Sequence, residues 1–148
     1  MIAVVERVSG AKVTVDGQTV GQIGPGLLVL IGVGQDDGPE DMEYIVRKTA
    51  GLRIFEKDGK MTLSVKDTGG ELLAVSQFTL LGDGRKGNRP DFGRAAAAEK
   101  ARAMFDGCVD AFRAQGLRTQ TGEFGAHMLV QSEGDGPVTI LLDSKRGF

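Results

Sequence analysis

The chain has 148 residues, enough for one domain, spanning residues 1–148, with a sizeable hydrophobic core. Its 41% apolar and 26% charged residues are those of an ordinary soluble globular protein, and no apolar run approaches the ~20 residues that cross a bilayer, so no membrane partner is expected. A net charge of −2 disfavours a protein that coats long nucleic acid, DNA included, but allows a small contact with one nucleic-acid end.

The opening MIAVVERVSGAKVTV has no basic stretch and no small-residue cleavage site, so no signal peptide is expected. The lone Cys108 cannot make an internal disulfide, and a reducing cytoplasm is the simplest location. Ile2 to Val8 alternates, with Ile2, Val4 and Val8 on one face and Arg7 on the other. Ala11 to Val15 alternates too, and Asp16-Gly17 predicts a hairpin into Gln18 to Ile23. Leu27 to Val33, a continuous apolar run, reads as a strand buried on both faces. A helix follows: Asp37 or Gly38 caps it, Pro39 suits its first position, Met42, Ile45, Val46 and Ala50 form its stripe, and Gly51 ends it. RIFEKDGKMTLSV predicts a hairpin turning at Asp58-Gly59, and ELLAVSQFTL a second strongly apolar strand.

A loop rich in glycine and arginine comes next, then the longest helix, Ala95 to Gln115. Its stripe is Ala101, Met104, Phe105, Cys108, Val109 and Phe112. Strands are expected near Leu117 to Thr121, Phe124 to Ser132 and Val138 to Leu142. Hairpins outnumber strand–helix–strand units. The expected fold is therefore α+β: a mainly antiparallel, curled sheet or partial barrel with two main helices. The 23 glycines have no period, which leaves tight turns and close backbone approaches.

The familiar catalytic constellations fail one by one. The only histidine, His127, falls in a predicted strand, and no GxSxG elbow is present for a serine hydrolase. Cys108 lies on the apolar helix stripe with nothing near it in sequence to lower its pKa. One Cys and one His make no zinc site; Asp135 and Asp143 could touch Mg²⁺, but no carboxylate cluster marks a two-metal centre. Gly82, Gly84 and Gly87 resemble a phosphate loop only faintly, since no Gly-Lys-Ser/Thr follows.

Two short motifs give a positive signal. SQFTL at Ser76–Leu80 and DGPVT at Asp135–Thr139 resemble the D-aminoacyl-tRNA deacylase family. MIAVVERV with Arg7, GLLVLIGV, LRIFEKDGKMTLSV, GNRPDFGRA and TQTGEFGAHM agree in order, so the resemblance runs from Met1 to about Leu142; the tail DSKRGF carries no family signal. It implies a homodimer that hydrolyses the ester between a D-amino acid and the acceptor end of tRNA. It also implies action on glycyl-tRNA, including glycine mischarged on tRNA(Ala), without metal or organic cofactor.

The resemblance assigns roles that physical chemistry makes intelligible. Gly136-Pro137, followed by Val138, is the family's chiral filter: a cis peptide reaching into the partner subunit's pocket. X-Pro tolerates cis at a cost of only ~0.5–1 kcal/mol, against ~2.5–4 elsewhere. Carbonyls there hold the substrate ammonium while blocking the space an L side chain needs, and rejection by collision permits strict handedness. Backbone N–H groups around Phe78 and Thr79 serve a developing oxyanion. The Thr79 hydroxyl orients substrate or water, Ser76 and Gln77 support it, and the ribose 2′-hydroxyl assists in place of a strong base. Phe124 walls the terminal adenine, Arg7 braces Gly136-Pro137, and Arg85, Lys86, Arg89 and Arg94 suit tRNA phosphates.

Each assignment has a plainer counterpart. Gly136-Pro137 can also be read as an ordinary turn opening a strand, Ser76 and Thr79 as strand-edge hydroxyls, Phe124 as core packing and the basic residues as a solvated loop. Gly134 stands where asparagine is often expected, leaving the Gly-Pro pair intact. The alternative functions are a non-catalytic module binding a nucleic-acid end or a protein, and a generic small-ester hydrolase.

Overall fold

A computed structural model describes every residue, Met1–Phe148. In chain order the elements are β1 (Ile2–Val15), β2 (Gln18–Ile23), β3 (Gly26–Gly32), α1 (Pro39–Gly51), β4 (Phe55–Lys57), β5 (Lys60–Leu63), α2 (Val65–Thr68) and β6 (Glu71–Ser76). A 3₁₀ turn (Phe78–Leu81), α3 (Ala98–Ala114), β7 (Thr119–Thr121) and β8 (Leu129–Asp143) complete the chain. The fold is α+β: a six-stranded curled sheet and a separate two-stranded one, with two long helices and one short one.

β1 is the organising strand. It pairs antiparallel with β3 over its first half, with β2 over its second, and with β8 along nearly all its length. β6 and β7 extend the sheet in parallel beyond β3, because α1 and α3 carry the chain over one face between them. The Gln22 N–H reaches Gln120 Oε1 at 2.8 Å, bringing β2 against β7 and almost closing the curl. β4 and β5 form a separate hairpin, turning at Asp58-Gly59 as the sequence predicts.

Side-chain alternation sorts the apolar residues into two cores. Leu27, Val29 and Ile31 of β3 and Leu72 and Ala74 of β6 join Ile45 of α1 and Phe105, Cys108 and Phe112 of α3 in the core beneath the helices. Leu28, Leu73 and Val75 point the other way, into the hollow of the curl with Val8, Val13 and Ile23. The unbroken apolar runs of β3 and β6 are thus explained.

Four expectations need correction. The Ile2–Val8 and Ala11–Val15 segments are one strand, and the deeply buried face of its first half carries Ala3, Val5 and Arg7, not Ile2 and Val4. Irregularities in the β1–β8 register on either side of Val8 then switch the buried face to Val8, Ala11 and Val13. The strand predicted to run through SQFTL stops at Ser76, and Phe78–Leu81 turns as 3₁₀. Phe124 and His127 lie in a loop, His127 exposed, and the final two predicted strands are the single β8, which runs straight through Gly136-Pro137.

The α1 N-terminus is tied to both chain ends. The Met1 ammonium donates to Asp37 Oδ1 at 2.6 Å and to Ser144 Oγ at 2.7 Å, and Ser144 Oγ donates to Asp41 Oδ1 at 2.6 Å. Lys145 Nζ donates to Asp41 Oδ2 at 3.1 Å. Burial alone would raise the Asp41 pKa, but the hydrogen bonds from Ser144, the Gly38 N–H and Lys145 outweigh it and hold the carboxyl at about 2.

Candidate active site

The end of β6 is positioned by its neighbour β3. Ser76 stands opposite Ile31, and the Gln77 N–H donates to Ile31 O at 2.8 Å, the last rung of the parallel ladder. The chain then coils over Gly32. A Cβ at Gly32 would lie 2.7 Å from Leu81 Cδ2 and 3.0 Å from Gln77 O, so only glycine lets the 3₁₀ turn sit this close. The first N–H groups of such a turn have no partner inside it, and its first bond runs from Leu80 N–H to Gln77 O at 3.3 Å. The Phe78 and Thr79 N–H groups therefore open the turn, at the mouth of a cavity.

That cavity has a volume of about 400 Å³, within the range of small-molecule sites. Ser76, Gln77, Phe78 and Thr79 form one side. Phe124, from the loop before β8, stands among the residues of the rest of the wall, with Val33 and Ala101 in its apolar floor. Gln77 Nε2 donates to Thr79 Oγ1 at 3.1 Å. With its oxygen accepting from Gln77, the Thr79 hydroxyl keeps its proton for a ligand or water. Phe124 is half-buried and packs 6.5 Å from Phe105, centroid to centroid. The Arg102 guanidinium lies over its ring at 4.8 Å, a contact with no signal in the sequence beyond Arg102's helical position. No group of three or more His, Cys, Asp or Glu side chains is placed to hold a metal ion.

Gly136, Pro137 and Val138 do not line this cavity. They stand on the middle of β8, with Gly136 and Pro137 exposed and Val138 half-buried. The Gly136–Pro137 peptide is cis. Gly136 has φ +132°, and a Cβ there would lie 2.8 Å from Val138 Cγ2 and 3.1 Å from Arg7 Nη2. Arg7 holds the segment from beneath: only 6% exposed, it donates from Nε to Asp135 O at 3.0 Å and from Nη1 to Ile54 O at 2.7 Å. Asp135 Oδ2 lies 3.5 Å from the same Nε, and Glu56 Oε1 is 3.9 Å from Nη2.

The basic residues divide. Arg85 folds back on Asp83, with Nε and Nη2 donating at 2.9 and 2.6 Å, and this bond holds Asp83 well below the usual carboxylate range. Arg94 reaches Leu81 O at 3.5 Å, while Lys86 and Arg89 extend into solvent. Cys108 is fully buried, and burial pushes its thiol up to about 12, far from a nucleophile's range.

A larger groove of about 990 Å³ runs between α1, α2 and α3, edged by Arg47, Arg53 and Lys66. It is more open and holds no residue of SQFTL or DGPVT. The smaller cavity combines an apolar floor with hydroxyl, amide and backbone donors from Ser76–Thr79, which makes it the candidate site.

A sequence profile described as D-Tyr-tRNA(Tyr) deacylase matches residues 4–143. The chain belongs to that family. Membership places it among the hydrolases of the aminoacyl-tRNA ester bond. It is 57% identical to the D-aminoacyl-tRNA deacylase of Thermotoga petrophila over 149 residues, covering 100% of both chains. It is 58% identical to that of Koribacter versatilis, again over 100% of both. A solved structure described as the c-Myc DNA Unwinding Element Binding Protein is similar at 42% identity, with TM-score 0.91 and coverage of 97% of this chain and 98% of that one. A probable eukaryotic D-amino acid tRNA deacylase shares the fold: 19% identity, TM-score 0.79, and coverage of 95% and 97%.

Proposed function

We propose that the chain cleaves the ester of D-aminoacyl-tRNA at the cavity beside Ser76–Thr79. Rejection of L-aminoacyl groups falls to the Gly136-Pro137 segment of a second copy. The observation that carries this reading is the separation of two halves of one site. The donor-lined cavity is open, and the braced, exposed Gly136-Pro137 segment lies outside it on the same chain. A homodimer brings the halves together. β8 pairs with β1 on one side only, and it exposes Leu129 and Leu141 at 63% and 58%, which favours a second copy along that face.

The chemistry then follows. The terminal adenine stacks at Phe124, which puts the ester carbonyl against the Phe78 and Thr79 N–H groups. These N–H groups stabilise the oxyanion, and the hydroxyl of Thr79 orients the ester or the water. Cleavage gives a free D-amino acid and tRNA, the ribose 2′-hydroxyl assisting as water adds to the carbonyl. Carbonyls of the Gly136-Pro137 segment hold the substrate ammonium and occupy the volume an L side chain requires. Glycyl groups, with no side chain to collide, pass the same filter, including glycine mischarged on tRNA(Ala). Lys86, Arg89 and Arg94 face the acceptor phosphates, with Arg85 ordering the loop through Asp83.

The test is release of D-tyrosine from D-tyrosyl-tRNA by purified protein, with L-tyrosyl-tRNA spared and Thr79→Ala slowed about 100-fold while staying folded. Equal turnover of both hands, or binding of uncharged tRNA with no cleavage of either, rules the reading out.

A further inference from the structure

Two large aromatic side chains stay at the surface beside the cavity. Phe78 is 55% exposed and Phe92 37%, and their rings meet edge to face with centroids 5.3 Å apart. The chemistry above uses the backbone of Phe78, not its ring, and Phe92 does not line the cavity at all. A lone exposed phenylalanine needs no explanation; two in contact make an apolar step that favours a flat partner.

The step sits at the base of a pinned, basic finger. Asp83 and Asp91 exchange backbone N–H···O bonds of 2.7 and 2.9 Å, which closes the segment between them into a hairpin. From Asp83 to Arg94 there are four cations, Arg85, Lys86, Arg89 and Arg94, against two carboxylates, Asp83 and Asp91, within a chain of net charge −2. Arg85 and Asp83 satisfy each other, leaving Lys86, Arg89 and Arg94 against Asp91 alone. Flat apolar faces flanked by cations suit single-stranded nucleic acid, whose bases stack and whose phosphates need neutralising.

We infer that the Phe78–Phe92 pair is a stacking platform for the nucleobase immediately 5′ of the terminal adenosine, with Lys86 and Arg89 at the adjoining phosphates. The inference rests on the function proposed above, which seats that adenosine at Phe124 in the cavity. Phe78 lines the same cavity and is also exposed, so the strand leaving the cavity past Phe78 meets Phe92 next.

The experiment compares the D-tyrosyl ester of adenosine with that of a cytidylyl-adenosine dinucleotide. Wild type favours the dinucleotide about 5- to 100-fold in kcat/KM, chiefly through KM. Phe92→Leu lowers that preference about 5-fold or more, leaving the share due to Lys86 and Arg89 at the phosphate, and Phe92→Tyr restores it. The same preference in wild type and Phe92→Leu overturns the platform. A second readout needs no hydrolysis: an uncharged oligonucleotide with 2-aminopurine next to its terminal adenosine. Its fluorescence is quenched at saturation by wild type and Phe92→Tyr, and not by Phe92→Leu. A Lys86→Gln, Arg89→Gln double variant weakens binding and its salt dependence but keeps the quench at saturation, and so judges the platform even if Phe92→Leu fails to fold. Quenching without ester cleavage leaves the platform standing and removes the deacylase reading. Cleavage with no quench and no dinucleotide preference removes the platform alone.

Discussion

The rim at Ser76–Leu81 and the segment at Gly136-Pro137 are built on opposite plans. The rim is an extension of the core. It continues the innermost parallel strand, is held by a ladder bond from Gln77, and is packed down on Gly32. The Gly136-Pro137 segment is a surface feature on an edge strand, and its fixed shape comes from Arg7, a buried cation reaching up from β1. Rigidity is therefore inherited from burial in the first case and supplied by one hydrogen-bonded side chain in the second. The proposed function asks Gly136-Pro137 to act inside a second copy, which requires a segment both exposed and stiff, and a buried arginine with its head beneath the backbone meets both demands.

The largest effect expected from this contrast is on activity in mixed dimers. Gly136→Ala forces a Cβ against Val138 and Arg7 at a φ that side chains avoid, and a shift of about 1 Å there costs about 100-fold or more in kcat/KM. Thr79→Ala damages the other half. If the halves join across a two-fold interface, subunit exchange between the two inactive variants restores one intact site per mixed dimer, and up to a quarter of wild-type turnover returns. No recovery on mixing places both halves in one chain and breaks the comparison.

Arg7→Met tests the brace by itself. It leaves Asp135 O and the buried Ile54 O without donors, and about 2–4 kcal/mol of stability is expected to go, read from urea unfolding. Discrimination between D- and L-tyrosyl-tRNA falls as well, because the segment above loses its support. Gly32→Ala makes the complementary change at the rim. Overpacking against Leu81 and Gln77 costs about 1–3 kcal/mol and lowers kcat, with the ratio between the two hands kept. If Arg7→Met leaves handedness untouched, or Gly32→Ala alters it, the two regions do not divide the labour as described.

The same contrast governs how much the sequence revealed. The rim's strand, the two long helices and both Asp-Gly hairpins are local features, written in apolar period and turn chemistry, and they lie close to where the pattern puts them. SQFTL is visible as hydroxyls and an amide on an apolar strand, but its bend into a 3₁₀ turn is set by Gly32 on a different strand. Arg7 alternates correctly with its neighbours, yet alternation cannot say which face is buried, because the irregularities around Val8 reverse it partway along β1. Arg102 over Phe124 and Phe92 against Phe78 join residues 22 and 14 positions apart, across segments no local period links. Contacts of that kind belong to the tertiary fold.

The smallest effect concerns how β8 is held at its other end. Asp143 closes the strand, and the next two residues, Ser144 and Lys145, both donate to Asp41 on α1. Asp41 titrates at about 2 in the folded chain against 3.8 ordinarily. A depressed carboxylate stabilises the fold above its unfolded value, and that contribution is lost as pH falls from about 4 towards 2. Lys145 is 52% exposed, so water screens the pair and the loss is about 1 kcal/mol. Thermal unfolding followed between pH 5 and 2 should show the wild type losing more stability than Asp41→Asn. At pH 7 Asp41→Asn, which leaves the Arg7 bonds to Asp135 and Ile54 in place, should keep full discrimination between the two hands while Arg7→Met does not. An Asp41→Asn protein that confuses the hands would mean that the strand end, not Arg7, sets the shape of the Gly136-Pro137 segment.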